Sequence, residues 1–341
     1  MTRIKLGVSL VCDRIREFPG WVRAVENAGF DAIGVGDSPS LYPEVYSQAT
    51  VVALNTSRVM FGPRVTNPIT RHPTVTASAI ATVDELSGGR AVLGIGTGDS
   101  AAYNAGERSV TLDFMRDYIR ALRDLFSDGA ATYHGKKMVF RKHRRMIPVY
   151  MAAHGPKSLQ MAGELCEGVI IGGGVGQTLV PEALAHVEAG AKKAGRRLAD
   201  IDIWWLIGAS IEPTLGAAIE GIKTHLAAAA NATFRLGVKN KGVPGDLEAA
   251  IEKLIAGYDF TKHEHVDIEN RNVSNIEALD LTDYLADRFT VAGAPAQFAA
   301  RVKEIASWGA PQLWFTMPRP DKYAFIDAMR EHVIPTLNPA R

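Results

Sequence analysis

Cysteine is scarce in this chain. Cys12 and Cys166 are the two among 341 residues, too few for a disulfide scaffold or a zinc-finger set, and they suit a reducing compartment. A surplus of charge is also missing, with 38 Lys and Arg against 37 Asp and Glu. A duplex binder needs a basic excess to displace counterions, so nucleic acid is not an expected partner. Long apolar runs are lacking as well. The N-terminal MTRIKLGVSLVCDRIREF becomes charged before any run reaches signal-peptide or membrane-span length. No Pro/Ser-rich linker, short-period repeat or low-complexity segment divides the chain. What remains, 47% hydrophobic and 22% charged residues, fits an ordinary globular protein with a sizeable core and excludes a disordered one. The expectation is a cytoplasmic enzyme acting on a small molecule, with no membrane contact.

Short apolar runs alternate with longer amphipathic ones. Runs at Ile4 to Val11, Ala32 to Gly36, Val59 to Val65, Ala91 to Ile95, Val149 to Ala152, Val169 to Ile171, Ile201 to Ile211 and Gln312 to Thr316 read as strands. Helical spacing follows each, as in Phe18 to Ala28, which stops at Gly29. Eight strand-then-helix units in one undivided chain predict a single (β/α)₈ barrel over residues 1–341, with its site at the strand C-termini. Two stretches break the alternation. Ala131 to Val139, with its His-Gly pair, predicts a hairpin; residues 234–287, before the last strand, exceed what a barrel unit needs and form a candidate lid.

Glycines mark three strand ends. Gly94, Gly96 and Gly98 alternate and clear one face for a flat ligand or a neighbouring strand, two readings the spacing leaves open. Gly172, Gly173, Gly174 and Gly176, with Gln177, lie between a strand and a helix, where backbone N–H groups and the helix dipole favour a phosphate. Ala152 to Ser158, containing Gly155-Pro156, joins strand to helix in the same manner. Together the three loops suit a planar, phosphorylated cofactor.

The runs NPITRHP at 67–73, AIATVDELSGGR at 79–90 and LGIGTGD at 93–99 resemble the bacterial-luciferase-like superfamily of flavin and F-420 enzymes. With VYMAAHGPKSLQMAGE at 149–164, they are most similar to methylenetetrahydromethanopterin reductases and their flavin-dependent relatives. The likeness runs from the first strand to about Ile171 and returns near Phe289. It implies a (β/α)₈ barrel holding reduced FMN or, alternatively, the deazaflavin coenzyme F-420. Asp37 then matches the acid beside the ring, and Arg64-Val65 a non-prolyl cis peptide backing it. Thr66 and Asn67 would face the ring edge. Gly98 belongs to the G-x-G-D loop, whose carboxylate is Asp99, while Gly155, Gly172, Gly173, Gly176 and Gln177 match the phosphate end. Asp37 and Asp99 are the catalytic candidates, with Asp37 expected to act through orientation and charge rather than packing. Ser38 and Tyr42 are candidate substrate contacts. One departure is clear: Ser38-Pro39 follows Asp37, where many relatives carry a histidine that handles protons.

His263, Glu264, His265 and Asp267 have metal-like spacing but lie in a polar run with no further ligand indicated, so no metal is expected. His72, before Pro73, reads as a turn-ordering residue, Cys166 as core, and the basic run Lys136 to Arg145 as a solvated face or partner contact. Strand alternation points one of Trp204 and Trp205 toward the barrel interior or mouth, making the pair candidate substrate contacts. The reading placed first is a reduced-FMN-dependent monooxygenase using oxygen and a separate flavin reductase, assembled as a homodimer or larger homo-oligomer. The alternative is an F-420-dependent hydride transferase, and the third a non-catalytic flavin-binding protein.

Overall fold

Apolar runs buried on both faces need helices on either side or a closed interior, and this chain supplies both. The computed structural model describes residues 3–140, 145–262, 270–317 and 321–339. Its strands, in chain order, are β1 (Lys5–Leu10), β2 (Ala32–Val35), β3 (Met60–Pro63), β4 (Leu93–Ile95), β5 (Ala130–Tyr133), β6 (Lys136–Val139), β7 (Val149–Ala153), β8 (Gly168–Ile171), β9 (Asp202–Ile211), β10 (Thr290–Gly293) and β11 (Gln312–Thr316). Parallel pairing runs in the order β3-β2-β1-β11-β9-β8-β7-β4. Bridges Phe61–Ala91 and Thr66–Ile95 join β3 to β4 and bring the sheet round on itself. The result is the expected (β/α)₈ barrel.

Strand alternation divides the apolar side chains between two cores. Ala32, Val92, Tyr150, Ile170, Trp204 and Trp314 fill the barrel interior. Their outward neighbours, such as Ile33, Ile171, Trp205 and Phe315, meet the helices. At the N-terminal end, Asp202 accepts bonds from Tyr150 Oη (2.6 Å), Trp204 Nε1 (2.9 Å) and Gln312 Nε2 (2.8 Å). The hairpin β5–β6 turns on His134 and Gly135, both at positive φ (48° and 74°). That is the two-residue turn whose twist suits a hairpin. His72 caps the helix Pro73–Leu86, and Cys166 is buried.

The excursion before the last strand is larger than 234–287. Helices Leu215–Glu220, Lys223–Phe234, Glu248–Ala256, Arg271–Ala278 and Thr282–Phe289 all lie between β9 and β10. Apolar residues of the last four, among them Leu226, Phe234, Ile251, Ile276 and Leu285, pack into a core separate from the barrel's. The sequence expectation began one helix too late because LAAAANATF is apolar on all sides and reads as an ordinary barrel helix. It also passed over β10, since four residues ending in glycine give too little alternation to read. β10 pairs with Gly208–Ile211 of β9. The candidate metal residues 263–267 and basic residues 141–144 lie outside the described residues. Among those described, no helix is long and apolar enough to cross a membrane.

Candidate active site

A cavity of about 240 Å³ opens where the barrel strands end. This is the end of such barrels at which loops gather functional side chains. Its wall takes Ser9 from β1, Asp37, Ser38 and Tyr42 from the loop after β2, and Arg64, Val65, Thr66 and Asn67 from the loop after β3. Gly96 to Ala101 follow β4; Ala152, His154, Ile170 and Gly172 come from β7, β8 and their loops; Leu206 and Thr316 come from β9 and β11. The helix Lys223–Phe234 closes one side with His225, Ala228, Ala229 and Ala232. The Arg64–Val65 peptide is cis, as the resemblance implied, and lies in this wall.

Asp37 is held firmly. Thr66 Oγ1 and Arg71 Nη1 both donate to its Oδ2 at 2.6 Å, and Arg71 Nη2 reaches Glu44 at 3.0 Å. The Asp37 side chain is only 2% exposed and that of Arg71 14%. A charge so far from water persists because it is paired and hydrogen-bonded. Asp37 therefore also carries structural weight, which corrects the expectation that it acts without a packing role.

Asp99 has a partner from the other side of the cavity. Arg235, just past the helix Lys223–Phe234, places Nη1 2.5 Å from Asp99 Oδ1 and donates through Nη2 to the Gly98 carbonyl (3.0 Å) and Ser109 Oγ (3.3 Å). The same guanidinium lies 5.6 Å from the centre of the Tyr103 ring, and Tyr103 stacks on Phe260 at 4.5 Å. The insertion is thus tied to the loop after β4 by an ion pair and a ring stack. Nothing local in the sequence announces Arg235; it stands 136 residues from its partner.

His154 lies where the main cavity meets a smaller one lined by Gly155, Gly173, Lys241 and Arg288. Burial first, then the Arg235 cation and more weakly Lys241, hold its imidazole down at about 4, against opposing pulls from a Gly172 backbone bond and Asp99. The ring is therefore neutral near pH 7. Arg288 is buried and saturated by carbonyls, donating to Gly173 (2.8 Å), Lys241 (2.6 Å) and Gly242 (3.0 Å). Lys241 Nζ donates to Thr233 at 2.5 Å. Burial pulls the Lys241 ammonium below its usual range, and Arg235 and Arg288 add to this. Lys241, held close to the Arg235 and Arg288 cations, makes a setting that an anion relieves.

The wall also matches a polar, planar ligand. Asn67 Oδ1 accepts from the backbone of Ile69 (2.9 Å) and Thr70 (3.0 Å), while its buried Nδ2 has no partner. Ser9 Oγ, Ser38 Oγ, His154 Nδ1 and Thr316 Oγ1 are likewise buried in the wall without a partner among the described residues. Buried polar atoms are rarely left so, and five round one cavity fit a ligand rich in donors and acceptors. Gly94 serves strand approach, since an added Cβ would meet the Pro63 carbonyl at 2.1 Å; Gly96, whose Cβ would meet the Val65 side chain at 2.9 Å, lies in the cavity wall.

Several expected residues are not brought in. Trp204 and Trp205 line neither cavity. Inward positions on β9 run 204, 206, 208, so Trp204 lies one layer too low, packed on Trp314 at 5.2 Å, and Trp205 faces the helices. Leu206 holds the mouth position instead. Gly176 and Gln177 also lie off both cavities, with Gln177 exposed. The N–H of Gly172 is spent on Ala153 (3.2 Å) and that of Gly155 on Ser158 Oγ (3.2 Å). Arg71, His154, Arg235, Lys241 and Arg288 are the site residues that sequence reading missed.

Residues 2–312 match the family described as luciferase-like monooxygenase. The chain is 31% identical to the 5,10-methylenetetrahydromethanopterin reductase of Archaeoglobus fulgidus, across 98% of this chain and 100% of that one. It is 27% identical to the F-420-dependent glucose-6-phosphate dehydrogenase of Beutenbergia cavernae, across 94% and 93%. Among solved structures, the coenzyme F-420-dependent tetrahydromethanopterin reductase of Methanopyrus kandleri gives a TM-score of 0.77 at 28% identity, across 98% of this chain and 100% of that one.

Proposed function

This chain belongs to the luciferase-like monooxygenase family and is an oxidoreductase, and we propose that it is an F-420-dependent hydride transferase acting on a small organic substrate. The observation that carries this is the cationic end of the site. A net charge of +1 concealed it, yet Lys241 and Arg288 lie beside Gly155 and Gly173, where an anionic cofactor tail would lie, with Arg235 in the wall of the main cavity next to them. The full-length relatives that name F-420 point the same way. The reduced-FMN monooxygenase placed first on sequence grounds would bring a phosphate to the same cations, and what favours F-420 over it is these relatives; a hydride transferase calls for no separate flavin reductase.

Bound here, the deazaflavin would supply or accept a hydride. The chain's own residues do the rest. Val65 would back the ring, and Asn67 Nδ2, unpartnered in the wall, would donate at its edge. Asp37, fixed by Thr66 and Arg71, presents a charge of set orientation, and Asp99 a second on the facing side. Ser38 and Tyr42 border the substrate space. The helix Lys223–Phe234, with Leu206 and Phe289, keeps water from the reacting face and acts as the lid. Lys241 and Arg288 provide charge at the phosphate end, with Gly155 and Gly173 allowing close approach.

Anaerobic titration with reduced F-420 and with reduced FMN, followed by oxygen, tests this. Preferential F-420 binding with turnover indifferent to oxygen is expected. Tight FMN binding with an oxygen-dependent absorbance change would replace the proposal with the monooxygenase.

A further inference from the structure

We infer that His154 is a binding residue that accepts a hydrogen bond from the hydroxylated chain joining the cofactor's ring to its phosphate. The inference rests on the proposed function for the identity of that cofactor, but its geometry is independent. His154 lies in the walls of both cavities: the one that takes the ring, and the smaller one beside Gly155, Gly173, Lys241 and Arg288. A ligand spanning the two must pass it. In a flavin or deazaflavin, the segment between ring and phosphate is a polyol.

The ring's protonation is set by what surrounds it. Nδ1 is buried with no partner among the described residues. We assign the hydrogen of the neutral ring to Nε2, which leaves Nδ1 a lone pair to present. Gly172 makes room for this arrangement, since a Cβ there would stand 2.3 Å from His154 Cε1. The charged groups facing the ring are Asp99 from the loop after β4, and Arg235 and Lys241 from the insertion. The two cations disfavour imidazolium, which keeps the lone pair available. A buried acceptor needs a donor, and a hydroxyl supplies one. A phosphate at the same place, bringing no hydrogen, does not.

The test compares His154→Leu, which removes the acceptor, with His154→Asn, whose amide oxygen can replace Nδ1. Each is titrated with reduced F-420, and with a ring analogue that lacks the polyol chain and phosphate. His154→Leu is expected to weaken F-420 binding about tenfold, the worth of one buried hydrogen bond, with His154→Asn within about threefold of the parent. The ring analogue should bind all three proteins alike. Parent affinity should stay level from about pH 5.5 to 8, because the ring is neutral throughout. A folded His154→Leu protein with unchanged F-420 affinity overturns the inference. So does an equal loss for the ring analogue, or an affinity that climbs on acidification in the parent alone. If the parent prefers FMN, the proposed function fails, and the same comparison of FMN with lumiflavin decides His154 by itself.

Discussion

At the scale of single residues, both acids of the cavity carry their own arginine: Asp37 with Arg71, and Asp99 with Arg235. The two pairs differ in depth, and so should their mutants. Asp37→Ala leaves Arg71 in a nearly dry site with the half-exposed Glu44 as its remaining carboxylate, and should cost about 3 kcal/mol of stability by thermal or denaturant unfolding. Asp37→Asn keeps an oxygen for Thr66 and should cost less. Turnover should fall by about 100-fold in both, the usual scale for a lost charged group at reacting atoms. Equal, small losses of activity and stability would count against a role at the ring. Asp37 was legible through the family resemblance, which places an acid just after the second strand. Arg71 was not, since its pairing depends on how the loop after β3 folds across the loop after β2.

At the scale of elements, what could be read depended on period. Strands such as Ile4 to Val11 and Gln312 to Thr316 show in sequence because unbroken apolar runs have one stable place, inside a covered parallel sheet. Period alone shows that one of Trp204 and Trp205 faces inward but not its height along the barrel axis, and Trp204, the inward one, lies a layer below the cavity. Alanine-rich helices also hide their role: Lys223–Phe234 has no polar stripe to show that Ala228, Ala229 and Ala232 border a cavity. Glycines give a sharper test. Gly94→Ala should destabilise by about 1–3 kcal/mol, since the new methyl would overlap the Pro63 carbonyl between β3 and β4. Gly216→Ala, on an exposed helix with nothing within 4 Å, should stabilise by about 0.5–1 kcal/mol. Denaturant midpoints measure both, and opposite signs are expected.

At the scale of the molecule, the barrel and the helices between β9 and β10 have separate cores, joined at the cavity by few polar ties. Arg235 makes one of these. Arg235→Met should speed amide exchange about tenfold in residues 223–234 and 97–109, with the barrel strands unchanged, because one charge-assisted tie is worth about that factor. Uniform exchange in parent and variant would show that the insertion's own core and Arg288 hold it without help. The opposite end of the barrel has its own consequence. Tyr150, Trp204 and Gln312 close on Asp202, and above them Trp314, Ile170 and Leu206 form an apolar column up to the cavity floor. Among the described residues, solvent hydrogen therefore reaches the cavity from the mouth beside the insertion and not through the barrel floor. Isotope washout of a proton that accompanies hydride transfer then reports access at that mouth, so it should quicken in Arg235→Met, where the insertion is less firmly tied.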